Sequence, residues 1–286
     1  MVSRLINSYG VSEYHLDTLS SLASGDKLGA FCLTETGAGS DAAALSLKAK
    51  KTDSGYVLSG EKIYISSAPH ADIFLVFGRT SDEGRNGISC FIVDARTKGI
   101  EVGPTEKKMG CAASPIASVR FSNCEIPSNS LLGNENEGYS IALSGLSRGR
   151  VSIAAAACGI AASAIEKSKA HLNSRKQFGK AIAQFQGLQF MYADMLMQYR
   201  AAVLLTRDAA AQLDSSSNEN IPSSMAKCFA TDAAMKISTD AVQLLGGAGY
   251  LADYGVERLM RDAKMLQIVE GTNQIQRLLI ARQLKS

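Results

Sequence analysis

The stretch that decides the fold runs from residue 138 to 174: "GYSIALSGLSRGRVSIAAAACGIAASAIEKSKAHLNS". It is rich in alanine, has almost no breakers and is far too long for a strand, so it predicts one extended helix. Small residues along a helix allow other helices to approach closely, and this segment is expected at the middle of a bundle. Downstream, "QFQGLQFMYADMLMQYRAAVLLTRDAAAQLD" carries apolar residues at i, i+3, i+4 and i+7 spacing. A polar loop, "DSSSNEN", separates it from "IPSSMAKCFATDAAMKISTDAVQLL". "GVERLMRDAKMLQIV" and "TNQIQRLLIARQLK" complete a helical set. Long amphipathic helices with short loops predict a bundle. The methionines at 191–197 read as part of its core.

Upstream the pattern changes. In residues 29–130, "GYVLSGEKIYIS" reads as two strands meeting at Ser59-Gly60. "DIFLVFGRT", "GISCFIVDA" and the alternating "ASVRFSNCEIP" are further strands between turn residues. Short strands with no helix between them predict a small sandwich or barrel, not a βαβ dinucleotide fold. Residues 1–28 read as two short helices stopped at Gly10 and Gly25. They cannot bury their own faces and must lean on something else. The expected fold is thus α+β with several domains: 1–28 a partial helical piece, 29–130 a β domain, 131–286 a helical bundle.

Composition fits a globular chain of 286 residues, 46% hydrophobic and 20% charged, with net charge +3. No basic block with interleaved aromatics points to nucleic acid. No apolar run approaches the ~20 residues that span a bilayer. The six cysteines are scattered without a C-x-x-C pair and the three histidines are isolated, so no metal is expected. His15, His70 and His171 read as surface or capping residues.

Four stretches could carry chemistry. "LTETGAGSDAA" (33–43) offers Gly37 and Gly39, whose amides can face outward, beside hydroxyls of Thr34, Thr36 and Ser40. It is neither a Walker loop nor G-x-G-x-x-G, and a plain turn fits as well. "SRKQFGKAIAQFQ" (174–186) is either a charged inter-helix loop or an anion site with Phe178 as a stacking plate. "QLLGGAGY" (243–250) has more glycines than a helix cap needs. In "QIVEGTNQIQR" (267–277), Thr272 can cap a helix and Glu270 can favour its positive end.

Together "CLTETGAGSD", "SRKQFGKAIAQFQ", "QLLGGAGY", "RLMRDAK" and "QIVEGTNQIQRLLIAR" resemble the acyl-CoA dehydrogenase family, in its order and spacing, over essentially the whole chain. The resemblance implies an N-terminal helical domain, a middle β domain and a C-terminal four-helix bundle. The chain begins late in that scheme and keeps only the tail of the first domain. It implies FAD as cofactor, an acyl-CoA substrate, electron-transferring flavoprotein as acceptor, and a homotetramer arranged as a dimer of dimers. Glu270 matches the base that takes the α-proton while the β-hydride moves to the flavin. The developing enolate oxygen is then held by the backbone amide of Glu270 and a flavin ribityl hydroxyl. Burial beside Ile268 and Val269 is expected to raise the Glu270 pKa.

By the same resemblance, Leu33, Thr34, Tyr64 and Ser66 match contacts to the flavin ring, with Tyr64 replacing a tryptophan and Ser66 a threonine. Arg175, Gln177 and Phe178 match residues reaching the FAD of a neighbouring subunit. Gln243, Gly246 and Gly247 match adenosine-diphosphate contacts, and Thr272 and Gln274 further FAD contacts. Ser40, Arg150 and Gly271 match substrate positions. Val269, where many straight-chain members carry tyrosine, is expected to admit a branch. "GRVSIAA", "RKQFG", "LQFMYADM" and "SMAKCFATD" look like the isobutyryl-CoA branch. Short straight-chain and 2-methylbutyryl substrates, a non-catalytic FAD- or CoA-binding homologue, and an oxidase stand as alternatives. The compartment would be the mitochondrial matrix in a eukaryote and the cytoplasm in a bacterium; the N-terminus does not say which.

Overall fold

The computed structural model describes residues 1–215 and 220–285, so most of the predicted polar loop at 214–220 lies outside the described residues. The chain divides into two compact units. The first comprises Met1–Lys108 and Ala112–Leu146, the second Met109–Cys111 and Ser147–Ser286.

The first unit is built on an eight-stranded sheet. Its strands are β1 (Gly29–Cys32), β2 (Lys48–Lys51), β3 (Gly55–Ser66), β4 (Ile73–Arg79), β5 (Ile88–Asp94), β6 (Ile100–Val102), β7 (Ile116–Pro127) and β8 (Leu131–Leu132). The order is β6-β7-β3-β2-β4-β5-β8, and β1 lies parallel to β4. β4 and β5 read as unbroken apolar runs because both of their faces are covered. Phe74, Val76, Phe91 and Val93 enter one core, while Leu75, Phe77, Cys90 and Ile92 enter the other. Helices α1 (Val2–Tyr9) and α2 (Glu13–Ser24) cover the second core, α1 through Val2, Leu5 and Ile6.

Two expectations change here. "GYVLSGEKIYIS" is a single strand with pairing irregularities against β7, not two strands around a turn. At Gly60, with φ 148°, a Cβ would come within 2.9 Å of the Leu47 Cα, so the glycine serves a close backbone crossing. His15 is buried, not at the surface. Its Nδ1 accepts from the Val11 N–H (3.2 Å) and its Nε2 lies 2.8 Å from the Asn129 carbonyl, so both ring nitrogens are satisfied inside.

Helix α3 (Gly138–Ser174) is one element of 37 residues, as its composition predicts. The second unit adds a hairpin of β9 (Lys176–Gln177) and β10 (Lys180–Ala181), then α4 (Gln186–Ser215), α5 (Asn220–Leu245), α6 (Val256–Leu266) and α7 (Asn273–Ala281). The helix at the middle of the bundle is α5, which packs on α4, α6 and α7. Alanines 226, 230, 234 and 241 let those helices approach. α3 shares this core through Ala154, Ala157, Ala161 and Ala164 but leaves Ser152, Ala155, Ala156 and Gly159 exposed. Alanine content signals close approach but not how many faces are approached. Met195 is buried in this core, whereas Met197 stands exposed.

Candidate active site

Glu270, Gly271 and Thr272 lie at the turn between α6 and α7, and Arg150 of α3 reaches it. Glu270 has φ 58° and Gly271 φ 87°. Two successive left-handed residues are costly for a side chain such as glutamate and persist only where neighbours hold them. The holding groups are side chains from distant segments. Arg150 Nε of α3 donates to the Glu270 carbonyl at 3.2 Å, and Gln276 Nε2 donates to the same oxygen at 3.2 Å. The Gly271 carbonyl accepts from Gln276 Nε2 at 2.8 Å and from Lys227 Nζ of α5 at 3.0 Å. The φ of Gly271 favours glycine, and a Cβ there would lie 2.8 Å from Gln276 Nε2 and push that amide aside. Thr272 caps α7, its Oγ1 accepting from the Ile275 N–H at 3.3 Å.

Beneath the turn lies a polar network that sequence reasoning missed. Asn273 is buried. Its Oδ1 accepts from Lys227 Nζ (2.8 Å), and its Nδ2 donates to Asp232 Oδ1 (2.7 Å). Asp232 also accepts from Gln267 Nε2 and Arg277, both at 2.6 Å. A signal existed in the sequence: Ser223, Lys227, Thr231 and Ser238 repeat at helical spacing, and all are buried. A lysine on an inward stripe needs a partner.

The Glu270 carboxyl stands apart from these bonds. Its Oε2 is sealed from solvent and has no hydrogen-bond partner among the described residues. Burial lifts its pKa from the ordinary value to about 7, against the opposing pull of Arg150 and Lys227. Ile268 is not part of that cover, because it is itself 55% exposed; Val269 is half-buried. Among the described residues no carbonyl accepts from the Glu270 N–H. Burial also lowers the Lys227 pKa, to about 8, and that of Arg150.

The other predicted residues of this unit stand on separate elements and share no hydrogen bond with the turn. Phe178 and Gly179 form the two-residue tip of the β9–β10 hairpin, with φ 50° and 79°. The Phe178 ring is 92% exposed, and Arg175 and Gln177 are exposed beside it. Gln243, Gly246 and Gly247 are exposed where α5 passes into a 3-10 turn. Gln274 is exposed on the first turn of α7.

In the first unit, Leu33, Thr34 and Ser40 lie on the loop after β1. Glu35 and Ala38 close its turn by reciprocal backbone bonds of 3.1 Å. The Leu33 carbonyl accepts from Lys62 Nζ at 3.1 Å and the Thr34 carbonyl from the Ile63 N–H at 2.9 Å. Lys62 and Glu35 form a buried ion pair at 2.7 Å. Ser46 N–H and Oγ–H and the Leu47 N–H give Glu35 three further bonds of 2.7–2.9 Å. Tyr64 sits where β3 departs from regular pairing, with φ 57° and a 64% exposed ring, and Ser66 is exposed at the strand end.

This fold agrees with what the comparisons find. Residues 30–124 match the acyl-CoA dehydrogenase middle domain and residues 136–285 the acyl-CoA dehydrogenase C-terminal domain. The chain belongs to the acyl-CoA dehydrogenase family, oxidoreductases that act on acyl-CoA with FAD as cofactor. It is 47% identical to an acyl-CoA dehydrogenase of Bacillus subtilis, over 96% of this chain and 73% of the relative. It is 40% identical to the mitochondrial isobutyryl-CoA dehydrogenase of Dictyostelium discoideum, over 99% of this chain and 69% of the relative. The structure of butyryl-CoA dehydrogenase from Megasphaera elsdenii superposes with a TM-score of 0.97 at 39% identity, covering 99% of this chain and 75% of that one.

The residues present fit FAD. A Cβ at Gly37, Gly39, Gly246 or Gly247 would meet nothing within 4 Å, so a ligand can approach the backbone closely there. Tyr64 presents an exposed ring from left-handed backbone at a break in strand pairing, and Phe178 holds its exposed ring out on a hairpin tip with only an edge contact to Phe185.

Proposed function

We propose that this chain catalyses α,β-dehydrogenation of a short, α-branched acyl-CoA of the isobutyryl type, with electrons passing to electron-transferring flavoprotein. The observation that supports the reading most is the Glu270 carboxyl: one oxygen unpartnered and buried, with protonation balanced near neutral pH. The α-proton of a thioester is a weak acid, so its removal needs a base tuned to the working pH and a donor for the oxyanion that develops. Glu270 takes the proton, and its own N–H serves the thioester oxygen. Arg150, Gln276 and Lys227 hold the backbone that carries both groups, so little reorganisation accompanies the step. FAD, when bound, accepts the β-hydride.

Leu33, Thr34, Tyr64 and Ser66 would hold the flavin ring. Thr272, Gln274, Gln243, Gly246 and Gly247 would hold the remainder, and Arg175, Gln177 and Phe178 would serve the cofactor of a neighbouring copy in a homotetramer. Ser40 would meet the CoA arm, Arg150 its pantetheine portion, and Gly271 the substrate beside Glu270. Val269 leaves room for an α-methyl group where a larger residue would fill it. A methylene in such a pocket is worth only ~1–3 kcal/mol, so related acyl chains will overlap.

The test is anaerobic flavin reduction by a panel of isobutyryl-, 2-methylbutyryl- and butyryl-CoA. Isobutyryl-CoA is expected to lead by about tenfold in kcat/KM, consistent with one methyl contact. Fastest reduction by butyryl-CoA would reassign the chain to straight-chain substrates. Flavin that no acyl-CoA bleaches would make it a non-catalytic binder.

A further inference from the structure

The carboxyl of Glu270 is not held by the cations around it; the backbone on either side is. Lys227 is the most buried of those cations, with no exposed surface. Its Nζ bonds the Gly271 carbonyl at 3.0 Å and Asn273 Oδ1 at 2.8 Å. The Gly271 carbonyl has a second donor, Gln276 Nε2 at 2.8 Å. Asn273 Oδ1 depends on Lys227, because the one proton of Thr231 Oγ1 goes to the Lys227 carbonyl at 2.8 Å. The Gly271 carbonyl therefore does not by itself require an ammonium at this position. A buried charge is costly and persists where something offsets it.

We propose that Lys227 is a positioning residue for the base: from α5 it clamps the left-handed Glu270–Gly271 turn through the Gly271 carbonyl and sets a positive charge one peptide away from the carboxyl. This rests on the reading of Glu270 as the base. The clamp fixes where the carboxyl points. The charge, placed beside the carboxylate but not on it, favours ionisation without tying up the oxygens that must accept the proton.

The charged groups around the pair are few. Within this unit Arg150 of α3 and Lys227 of α5 act on Glu270. Arg150, Cys228, Asp232 and Glu270 act on Lys227. On α7, Arg277 is engaged with Asp232 at 2.6 Å.

The experiment uses the FAD-loaded full chain and compares Lys227→Met, Lys227→Gln and Glu270→Gln with the parent. Flavin content and melting temperature report folding. The carboxylic-acid stretch in infrared difference spectra, assigned by its loss in Glu270→Gln, reports the proton on Glu270 without turnover. In both Lys227 variants the midpoint of that band and the acid limb of flavin reduction should rise by about one pH unit, as expected for loss of a neighbouring opposite charge. Lys227→Met should also lower kcat about tenfold with a smaller rise in KM, because the turn and Gly271 are loosened while Ser40 and Arg150 keep their places on other elements. Lys227→Gln retains a donor for the turn and carries the test if the methionine variant does not fold. An unmoved infrared midpoint in a folded variant overturns the proposal. Continued flavin reduction by Glu270→Gln is a different failure, because it overturns the assignment of the base itself.

Discussion

Two glutamates illustrate opposite uses of a buried carboxylate, one in each unit. Glu35 meets Lys62 directly at 2.7 Å and accepts three more bonds from Ser46 and Leu47. Burial alone would raise its pKa, but Lys62 and those donors outweigh it and hold the group below the usual carboxylate range. Glu270 also has a buried lysine nearby, yet Lys227 bonds the next carbonyl and leaves Glu270 Oε2 without a partner. Its pKa rises to about 7. Composition is the same in both places. What differs is whether the cation sits on the carboxylate or one peptide away, and that separates a strut from a carboxyl left free to take a proton.

The comparison breaks most visibly at Glu270. Glu270→Gln is expected to lower the rate of flavin reduction by about 10³-fold or more while FAD stays bound, because it removes the proposed base and little volume. Stopped-flow reduction at near-parental rate would end the distinction. Next in size is the strut. Lys62→Met strands Glu35 in the interior, which costs about 3–5 kcal/mol and should lower Tm by roughly 10 °C in calorimetry. A Tm within a degree or two of the parent would show that Glu35 is not held as a charge.

The smallest effect is the sharpest. The raised pKa of Glu270 means the folded chain binds an extra proton between about pH 4.5 and 7. Stability therefore falls as pH rises through that window, by about 3 kcal/mol at most. Glu35 has the opposite sign: its contribution is complete above the ordinary carboxylate pKa and is lost as pH falls below it. Urea unfolding should find Glu270→Gln more stable than the parent near pH 8 and close to it below about pH 4. A constant difference across pH would remove the asymmetry.

Much of this architecture is legible in the sequence because it depends on local patterns. The run at 138–174 is one helix, the strands precede it, and Thr272 caps α7. The Phe178-Gly179 tip is flagged as a break between helices, though not as a hairpin. What stayed hidden depends on pairing at long range. Lys62 meets Glu35 across 27 positions and Lys227 meets Gly271 across 44, and nothing near either lysine announces its partner. His15 looks exposed by type and is buried because Asn129, 114 positions away, receives its ring nitrogen. Ile268 looks like cover for Glu270 by adjacency, but the turn leaves it in solvent.

The Glu270–Gly271 turn is gripped by its carbonyls, not by the side chain that projects from it. The grip is indifferent to what residue 270 carries, provided that residue tolerates a left-handed backbone. β-branched residues are excluded by that condition, and unbranched polar ones are admitted. Frame and reagent are thus inherited separately. A lineage carrying this turn can exchange the reagent in one codon and keep a folded protein, so change at this position reaches selection as a new or lost reaction before it reaches it as a misfolded chain.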